Sequence, residues 1–542
     1  MEDQSKLTKE FCISEFLRCK ESFNYFCSNY IEIEMPGGNI PLNLYGKQDE
    51  LVQVLHTKHY ILVLKTRQTG VSTIIQAYIV WLHTFYDNVV VGVLSKDGPE
   101  ATSFARHIMS MIDSLPSWLA PKYVKRTEQT YILANGSQCH ATTINPNAPE
   151  KTLRGKALTF LVVDEGAFIN HVDDAWSGMM PALATNQLHA SRNKVPYGTI
   201  IISTPNKTVG IGKWFYARYV SSVSGNDIFK PFIIHWKMIP ELADDPAWYN
   251  TQCQLAGNDP KKIQQELDLK FLSTSGSFFD EKTTQTLQDI DIEPIERMRL
   301  FGGECWTFVK AQEGRYYITG VDTAPQHGQD KSAITVWDYQ TLDQVWEYQV
   351  KCSVMDFTKV VKLACSMYPG LVVIENTGGY GNQVVEAMMN SEFLSMVYKG
   401  KTSDTRVVPG LSTNIHTRPL MIDSLYSYVV ANPQMVKSKR LALELIGLIN
   451  KGGKVEADVG CTDDLSLSAA CAFYVRKWDP PLLLTTSSGD FDNSFLDIVN
   501  MNISNSEHTY EDLDSKMQKM IDEIVDEKKG TFVDVLSLYN KV

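Results

Sequence analysis

Tyr60-Ile61-Leu62-Val63-Leu64-Lys65-Thr66-Arg67-Gln68-Thr69-Gly70-Val71-Ser72-Thr73 decides how the first half of this chain folds. Its first five residues form an apolar run of strand length that ends in a polar, glycine-containing turn. A helical apolar pattern follows from Ile74 to Leu82. Strand, glycine loop and helix, in that order, make a phosphate-binding unit. Backbone N–H groups and the helix N-terminus cradle phosphate oxygens, a cation reaches the β and γ oxygens, and a hydroxyl holds Mg²⁺. Ser72 or Thr73 supplies the hydroxyl, Ser72 being preferred. The lysine that ordinarily follows the loop glycine is absent, Val71 standing there, so Lys65 or Arg67 must supply the cation. Taken alone, the segment also fits a strand-turn-helix packing unit with no nucleotide.

Phe160-Leu161-Val162-Val163-Asp164-Glu165 is a second buried-strand run, ending in adjacent acids. In a phosphate-loop hydrolase the first acid serves Mg²⁺ through water and the second orients or deprotonates the attacking water. A third run, Thr199-Ile200-Ile201-Ile202-Ser203, leads into Thr204-Pro205-Asn206, where hydroxyls are placed to sense a γ-phosphate or to make a plain turn.

The second half carries a different set of acids. Tyr316-Tyr317-Ile318-Thr319-Gly320-Val321-Asp322 is a β-rich run delivering an acid, and Ala333–Trp337 and Gln344–Tyr348 alternate as antiparallel strands do. Leu371-Val372-Val373-Ile374-Glu375 ends another apolar strand in an acid. Asp463 and Asp464 stand at the start of an apolar helix, which either of them could also cap. Three carboxylates from two strand ends and a helix start can converge on two divalent ions about 3.5–4 Å apart, flanking a phosphodiester. Oxygen ligands favour Mg²⁺ or Mn²⁺. Asp330 lies near a hairpin and reads as a solvated turn acid that could assist the site.

With 542 residues, 44% hydrophobic and 21% charged, the chain is globular and large enough for two to four domains. No apolar run is long enough to span a bilayer, and the acidic start Met1-Glu2-Asp3-Gln4 is no signal peptide. The ten cysteines show no CxxC pair and no zinc spacing, which argues against structural zinc and a disulfide framework and for a reducing compartment. A net charge of −12 argues against a protein that simply coats DNA, so any DNA contact needs local basic clusters. Candidates are Lys122–Arg126, Lys399–Lys401 with Arg406, and Lys437–Arg440. The segment Glu507–Lys529 reads as an amphipathic helix in a polar tail.

These residues resemble the large terminase subunits of tailed double-stranded DNA phages, most closely the T-even-like branch, over most of the chain. Tyr45-Gly46-Lys47-Gln48 resembles that family's adenine-reading motif, with Tyr45 and Gln48 on the base. Lys65 to Thr73 resembles its deviant phosphate loop, in which the lysine moves to the front. Arg154-Gly155 is similar to the segment supplying an arginine finger to a neighbouring subunit, and Ser203-Thr204-Pro205 to the motif coupling hydrolysis to movement. The nuclease half looks like the family's ribonuclease-H-type fold, with Asp322, Glu375 and one of Asp463 and Asp464 as metal ligands.

The resemblance implies an α/β chain in which a P-loop NTPase domain precedes a ribonuclease-H-like nuclease domain. Its expected parts are an ATPase core over 1–211, a helical lid containing Trp214, Tyr216, Trp236 and Trp248 over 212–272, a linker over 273–299, the nuclease over 300–480 and a tail over 481–542. It implies ATP as substrate, Mg²⁺ at the ATPase site and two Mg²⁺ or Mn²⁺ at the nuclease site. The implied partners are duplex DNA, a portal protein, a small terminase subunit and copies of this chain in a ring, commonly of five. The implied place is the host cytoplasm during infection, without permanent residence in the virion. A repair-type helicase fused to a nuclease, and a non-catalytic capsid-docking scaffold, are the alternatives.

Overall fold

Tyr60–Lys65 (β1) is buried along nearly its whole length, as a strand must be when helices cover both faces of a parallel sheet. The structure is a computed structural model and describes residues 8–480 except 209, 226, 273–276, 328–329, 378, 402–405 and 459–460. The polar tail from residue 481, with the amphipathic pattern at 507–529, lies outside the described residues. Two compact units divide the chain, Met1–Thr274 and Ser275–Val542.

The first unit is built on an eight-stranded sheet. After β1 come Val90–Leu94 (β2), Tyr123–Arg126 (β3), Thr130–Leu133 (β4), Gln138–Thr142 (β5), Phe160–Asp164 (β6), Gly198–Ser203 (β7) and Lys230–Ile234 (β8). Their spatial order is β8-β1-β7-β6-β2-β5-β4-β3. The strands from β8 to β5 run parallel, and β4 and β3 add an antiparallel edge. Helix Lys47–Thr57 (α1) precedes β1, and helix Val71–Phe85 (α2) leaves the loop that follows it. The loop strands β1 and β6 are not neighbours: β7 runs between them and brings Ser203 to the same edge.

Within 212–272, expected as a helical lid, helix Lys213–Val223 (α3) is followed by β8, which pairs with β1 from Lys230 opposite Ile61 to Ile234 opposite Lys65. The segment thus supplies an edge strand to the main sheet. Its alternating Phe232 and Ile234 are buried, and period-two burial is the strand signal a helical reading missed.

In the second unit a six-stranded sheet is formed by Glu296–Leu300 (β9), Gly303–Thr307 (β10), Tyr317–Asp322 (β11), Ser332–Asp338 (β12), Gln344–Val350 (β13) and Gly370–Ile374 (β14). The order is β9-β10-β13-β12-β11-β14, antiparallel except for the parallel pair β11 and β14. An antiparallel three-strand meander with a fourth strand parallel to its first is the ribonuclease-H-like arrangement. Helix Val354–Met367 (α4) makes the crossover from β13 to β14. Helices Thr417–Ala431 (α5), Lys439–Ile446 (α6) and Asp464–Trp478 (α7) follow.

Residues 273–299, expected as a linker, include a helix at Glu281–Gln288 and most of β9. The two-residue turn Phe301-Gly302, both at positive φ (47° and 88°), closes the β9-β10 hairpin. That turn type matches the right-handed twist of the strands it joins. Close packing seats α7 on β11: a Cβ at Gly320 would lie 1.8 Å from the Ser468 carbonyl oxygen, and Ser468 Oγ donates to the Gly320 carbonyl at 2.9 Å.

Candidate active sites

The first site lies where β1, β7 and β6 end. Gly70 takes φ 74° at the head of α2, a left-handed conformation that favours glycine, and a Cβ there would sit 2.8 Å from Gln48 Nε2 and displace that amide. Gln48, buried at the start of α1, donates to the Thr69 carbonyl at 3.0 Å, and Thr69 Oγ1 donates to the Thr66 carbonyl at 3.1 Å. The loop is therefore fixed from inside and from beside. Tyr45 is half-buried; burial and then the Glu241 carboxylate push its hydroxyl up, against a hydrogen bond to Gln48.

Lys65 Nζ lies 2.9 Å from Glu165 Oε1. The other Glu165 oxygen accepts from Ser203 Oγ at 3.3 Å and from the Thr204 N–H at 3.4 Å. Ser203 Oγ accepts in turn from the Ala167 N–H at 3.1 Å. Glu165 itself is left-handed, φ 53°, a conformation that costs a non-glycine residue energy and persists where its surroundings over-determine it. Ser72 Oγ donates to Asp164 Oδ1 at 3.3 Å. Burial, and then the neighbouring Glu165 charge, push Asp164 up to about 6, while Lys65 and the Ser72 hydroxyl oppose the shift.

Of the two cations the sequence left open, Lys65 is the one beside the acids. Arg67 is exposed and pairs with Glu266 at 3.2 Å, its N–H donating to the Glu266 carbonyl. Gln68 is exposed, Thr73 is half-buried, and Val71, Thr204 and Pro205 are buried. Arg154 is not brought to this cluster. It is exposed, on a depression it shares with Glu150, Lys156 and Thr185.

The second site collects acids from β11, β14 and the start of α7. Burial pushes the Asp322 carboxyl well up, followed by the charges of Asp464, Glu375, Asp463 and Asp330. Glu375 follows β14, its N–H donating to the Val321 carbonyl beside Asp322 at 3.0 Å. Asp463 is raised by burial, with Arg418 on α5 pulling the other way and Asp330 adding to the rise. Asp330 is exposed, yet its charge reaches Asp322, Asp463 and Asp464. Asp322, Asp463 and Asp464, all pushed up by burial and by neighbouring carboxylate charge, are hard oxygen donors that suit a divalent cation, which favours their charged forms. Among the described residues, no three acid, histidine or cysteine side chains stand close enough to hold one ion as they are.

Around this cluster lie residues the sequence reading did not single out. Asp464 is 3% exposed; its Oδ1 accepts from the Lys331 N–H at 3.2 Å and its Oδ2 from Gln349 Nε2 at 3.1 Å. Gln349 Nε2 also donates to Glu444 Oε1 at 2.8 Å. Burial raises both Asp464 and Glu444, and it lowers the ammonium of buried Lys331 to about 8. A signal was present for Gln349: in a strand buried on both faces, a polar residue requires a partner.

The basic cluster Lys437–Arg440 does not present its arginine to solvent. Arg440 is 1% exposed, its Nε donates to Glu347 at 2.7 Å, and its guanidinium stacks 3.9 Å over Trp306. Lys437 pairs with Asp343 at 2.8 Å. The periodicity of α6 turns Arg440 inward, and Glu347 on β13 supplies the counter-charge. Arg126, in the first cluster, pairs with Asp113 at 2.7 Å.

No protein-family model and no curated protein matches this chain. Its structure is similar to large terminases of several phages. The HK97 bacteriophage large terminase aligns with 13% identity over 84% of this chain and 99% of that one, with a TM-score of 0.40. The ATPase domain of the Thermus phage P74-26 large terminase aligns with 17% identity over 42% and 100% of the two chains, TM-score 0.30. The magnesium-bound large terminase nuclease of the thermophilic phage G20c aligns with 14% identity over 37% and 97%, TM-score 0.27.

Proposed function

We propose that this chain is an ATP-driven motor for duplex DNA with its own nuclease, working as the large terminase of a tailed phage. It moves DNA into a capsid through a portal and cuts concatemeric DNA at the start and end of filling. The observation that most supports this reading is the meeting of Lys65, Ser72, Asp164, Glu165 and Ser203 at one sheet edge, together with a separate acidic centre in the second unit.

In this reading the backbone from Gln68 to Ser72 receives the β and γ phosphates, and Lys65 turns from Glu165 to them. Asp164 and Ser72 would hold Mg²⁺, which neutralises phosphate charge. Glu165, held by Ser203 and Thr204, orients the attacking water and takes its proton. Any displacement of Glu165 is felt at once by Ser203 and Thr204, which fits their role as the coupling segment. Tyr45 and Gln48, the latter bonded to the Thr69 carbonyl, would read the base, and Arg154 would act on a neighbouring copy in a ring. In the second unit Asp322, Glu375 and the Asp463-Asp464 pair would hold Mg²⁺ or Mn²⁺, which stabilises the attacking and leaving oxygens. A portal, a small terminase subunit and further copies of this chain are its proposed partners.

The test is made on the full chain with ATP, duplex DNA and supercoiled plasmid. Expected are ATP turnover stimulated by duplex DNA, metal-dependent plasmid cutting, and loss of cutting with retained turnover in Asp322→Asn. Cutting that survives this substitution places the nuclease elsewhere. Strand separation would favour a helicase, and no turnover a scaffold.

A further inference from the structure

An unusual division of labour surrounds the start of α7. Asp463 occupies the N-cap position, yet its side chain makes no capping hydrogen bond. The N–H an N-cap side chain ordinarily takes is that of the third helical residue, here Ser466. That N–H donates instead to Glu444 Oε2 at 3.1 Å, from the neighbouring helix α6. The other Glu444 oxygen accepts from Thr462 Oγ1 at 3.1 Å and from Gln349 Nε2 at 2.8 Å.

Gln349 donates its amide N–H₂ to two carboxylates, Glu444 and Asp464, while its own buried Oε1 meets no donor among the described residues. The reverse amide orientation would set that oxygen against both carboxylates, so the pair of acids dictates which way the amide points.

We propose that Gln349 and Glu444 are positioning residues of the acidic centre: Glu444 caps α7 in place of Asp463, and Gln349 ties that cap to the Asp464 carboxylate. The inference rests on the reading of this centre as a divalent-metal nuclease. Capping by Glu444 releases Asp463 from a duty that would turn its carboxylate back onto the helix. The Gln349 and Lys331 donors fix the rotation of Asp464 and leave each of its oxygens a further lone pair. The Asp463 carboxylate then does not cap α7, and both acids of the pair lie near enough to Asp322 for their charges to act on it. Groups that orient metal-binding carboxylates typically change metal affinity about 10–100-fold when removed.

The experiment uses the full chain and its Gln349→Met and Glu444→Gln variants. Mn²⁺ binding is followed by the electron paramagnetic resonance of free Mn²⁺, with Asp322→Asn as the background, beside the Mn²⁺ concentration for half-maximal plasmid cutting. Thermal melting and near-ultraviolet circular dichroism report the fold. Gln349→Met is expected to weaken Mn²⁺ binding and raise the half-maximal concentration about tenfold or more, with cutting largely restored at saturating Mn²⁺ and melting little changed. Glu444→Gln, which keeps shape but not both acceptors, should give a smaller shift in the same direction and stands in if the first variant fails to fold. Wild-type Mn²⁺ curves in both variants overturn the proposal, as does lowered melting with unaltered Mn²⁺ affinity. Absence of Mn²⁺ binding and cutting in the unaltered chain overturns instead the metal-nuclease reading itself, and the proposal with it.

Discussion

The ammonium of Lys65 lies 2.9 Å from the carboxylate of Glu165 although their strands are not neighbours, because β7 runs between β1 and β6 and ends just short of both side chains. The two side chains are 9% and 24% exposed, so this contact is screened less than a surface pair. The cation that would meet a γ-phosphate and the acid that would activate water are each other's partners before nucleotide arrives. Ser203, from the intervening strand, holds the acid's second oxygen.

Lys65→Ala should weaken ATP binding more than Arg67→Ala does, because Lys65 stands buried beside Glu165 while Arg67 is exposed and turned to Glu266. Fluorescent-nucleotide titration of both variants checks the ranking, and the reverse order would make Arg67 the phosphate cation.

Glu165→Gln keeps the size and the contacts to Ser203 and Thr204 but removes the base. Nucleotide affinity should stay near that of the unaltered chain while turnover falls by about 10²–10⁴-fold, the range that general-base catalysis supplies. Unchanged steady-state hydrolysis would remove Glu165 from the mechanism.

Burial, and then the Glu165 charge, hold the Asp164 carboxyl at about 6 in the unliganded fold, above its ordinary value of 3.8. Its folded pKa is raised, so the ionised carboxylate costs stability: fully above about 6, progressively less as pH falls, and not at all below about 4. Asp164→Asn should therefore stabilise the unliganded chain at pH 8, by on the order of 1–3 kcal/mol. The gain should fade toward pH 4. Thermal melting at a series of pH values shows the trend, and a gain that grows on acidification would contradict it.

Arg440→Ala should destabilise the second unit by about 3–5 kcal/mol, since it leaves buried Glu347 without its counter-charge. Denaturant unfolding measures the loss. DNA binding by the folded variant should keep its salt dependence, because Arg440 neutralises no phosphate.

Local chemistry made much of this legible. The run Tyr60–Thr73 declares strand, loop and helix because burial on both faces, a left-handed glycine and helical spacing are each written in neighbouring residues. The alternation after Asp322 declares a meander for the same reason. β8 escaped, since five residues inside an aromatic-rich stretch show period-two burial only once β1 is beside them. The β9-β10 hairpin was written as Phe301-Gly302 but masked by the polar residues before it.

By itself the sequence picked out the candidate acids, the strands that end in them and a loop cation displaced from its usual place, because these depend on patterns a few residues long. Only the tertiary structure decided that Lys65 rather than Arg67 faces Glu165, that Arg440 is core, and that Glu444 and Gln349 hold the start of α7. Each of these is a contact between residues far apart in the chain, and a long side chain's partner is fixed by where the packed elements place it.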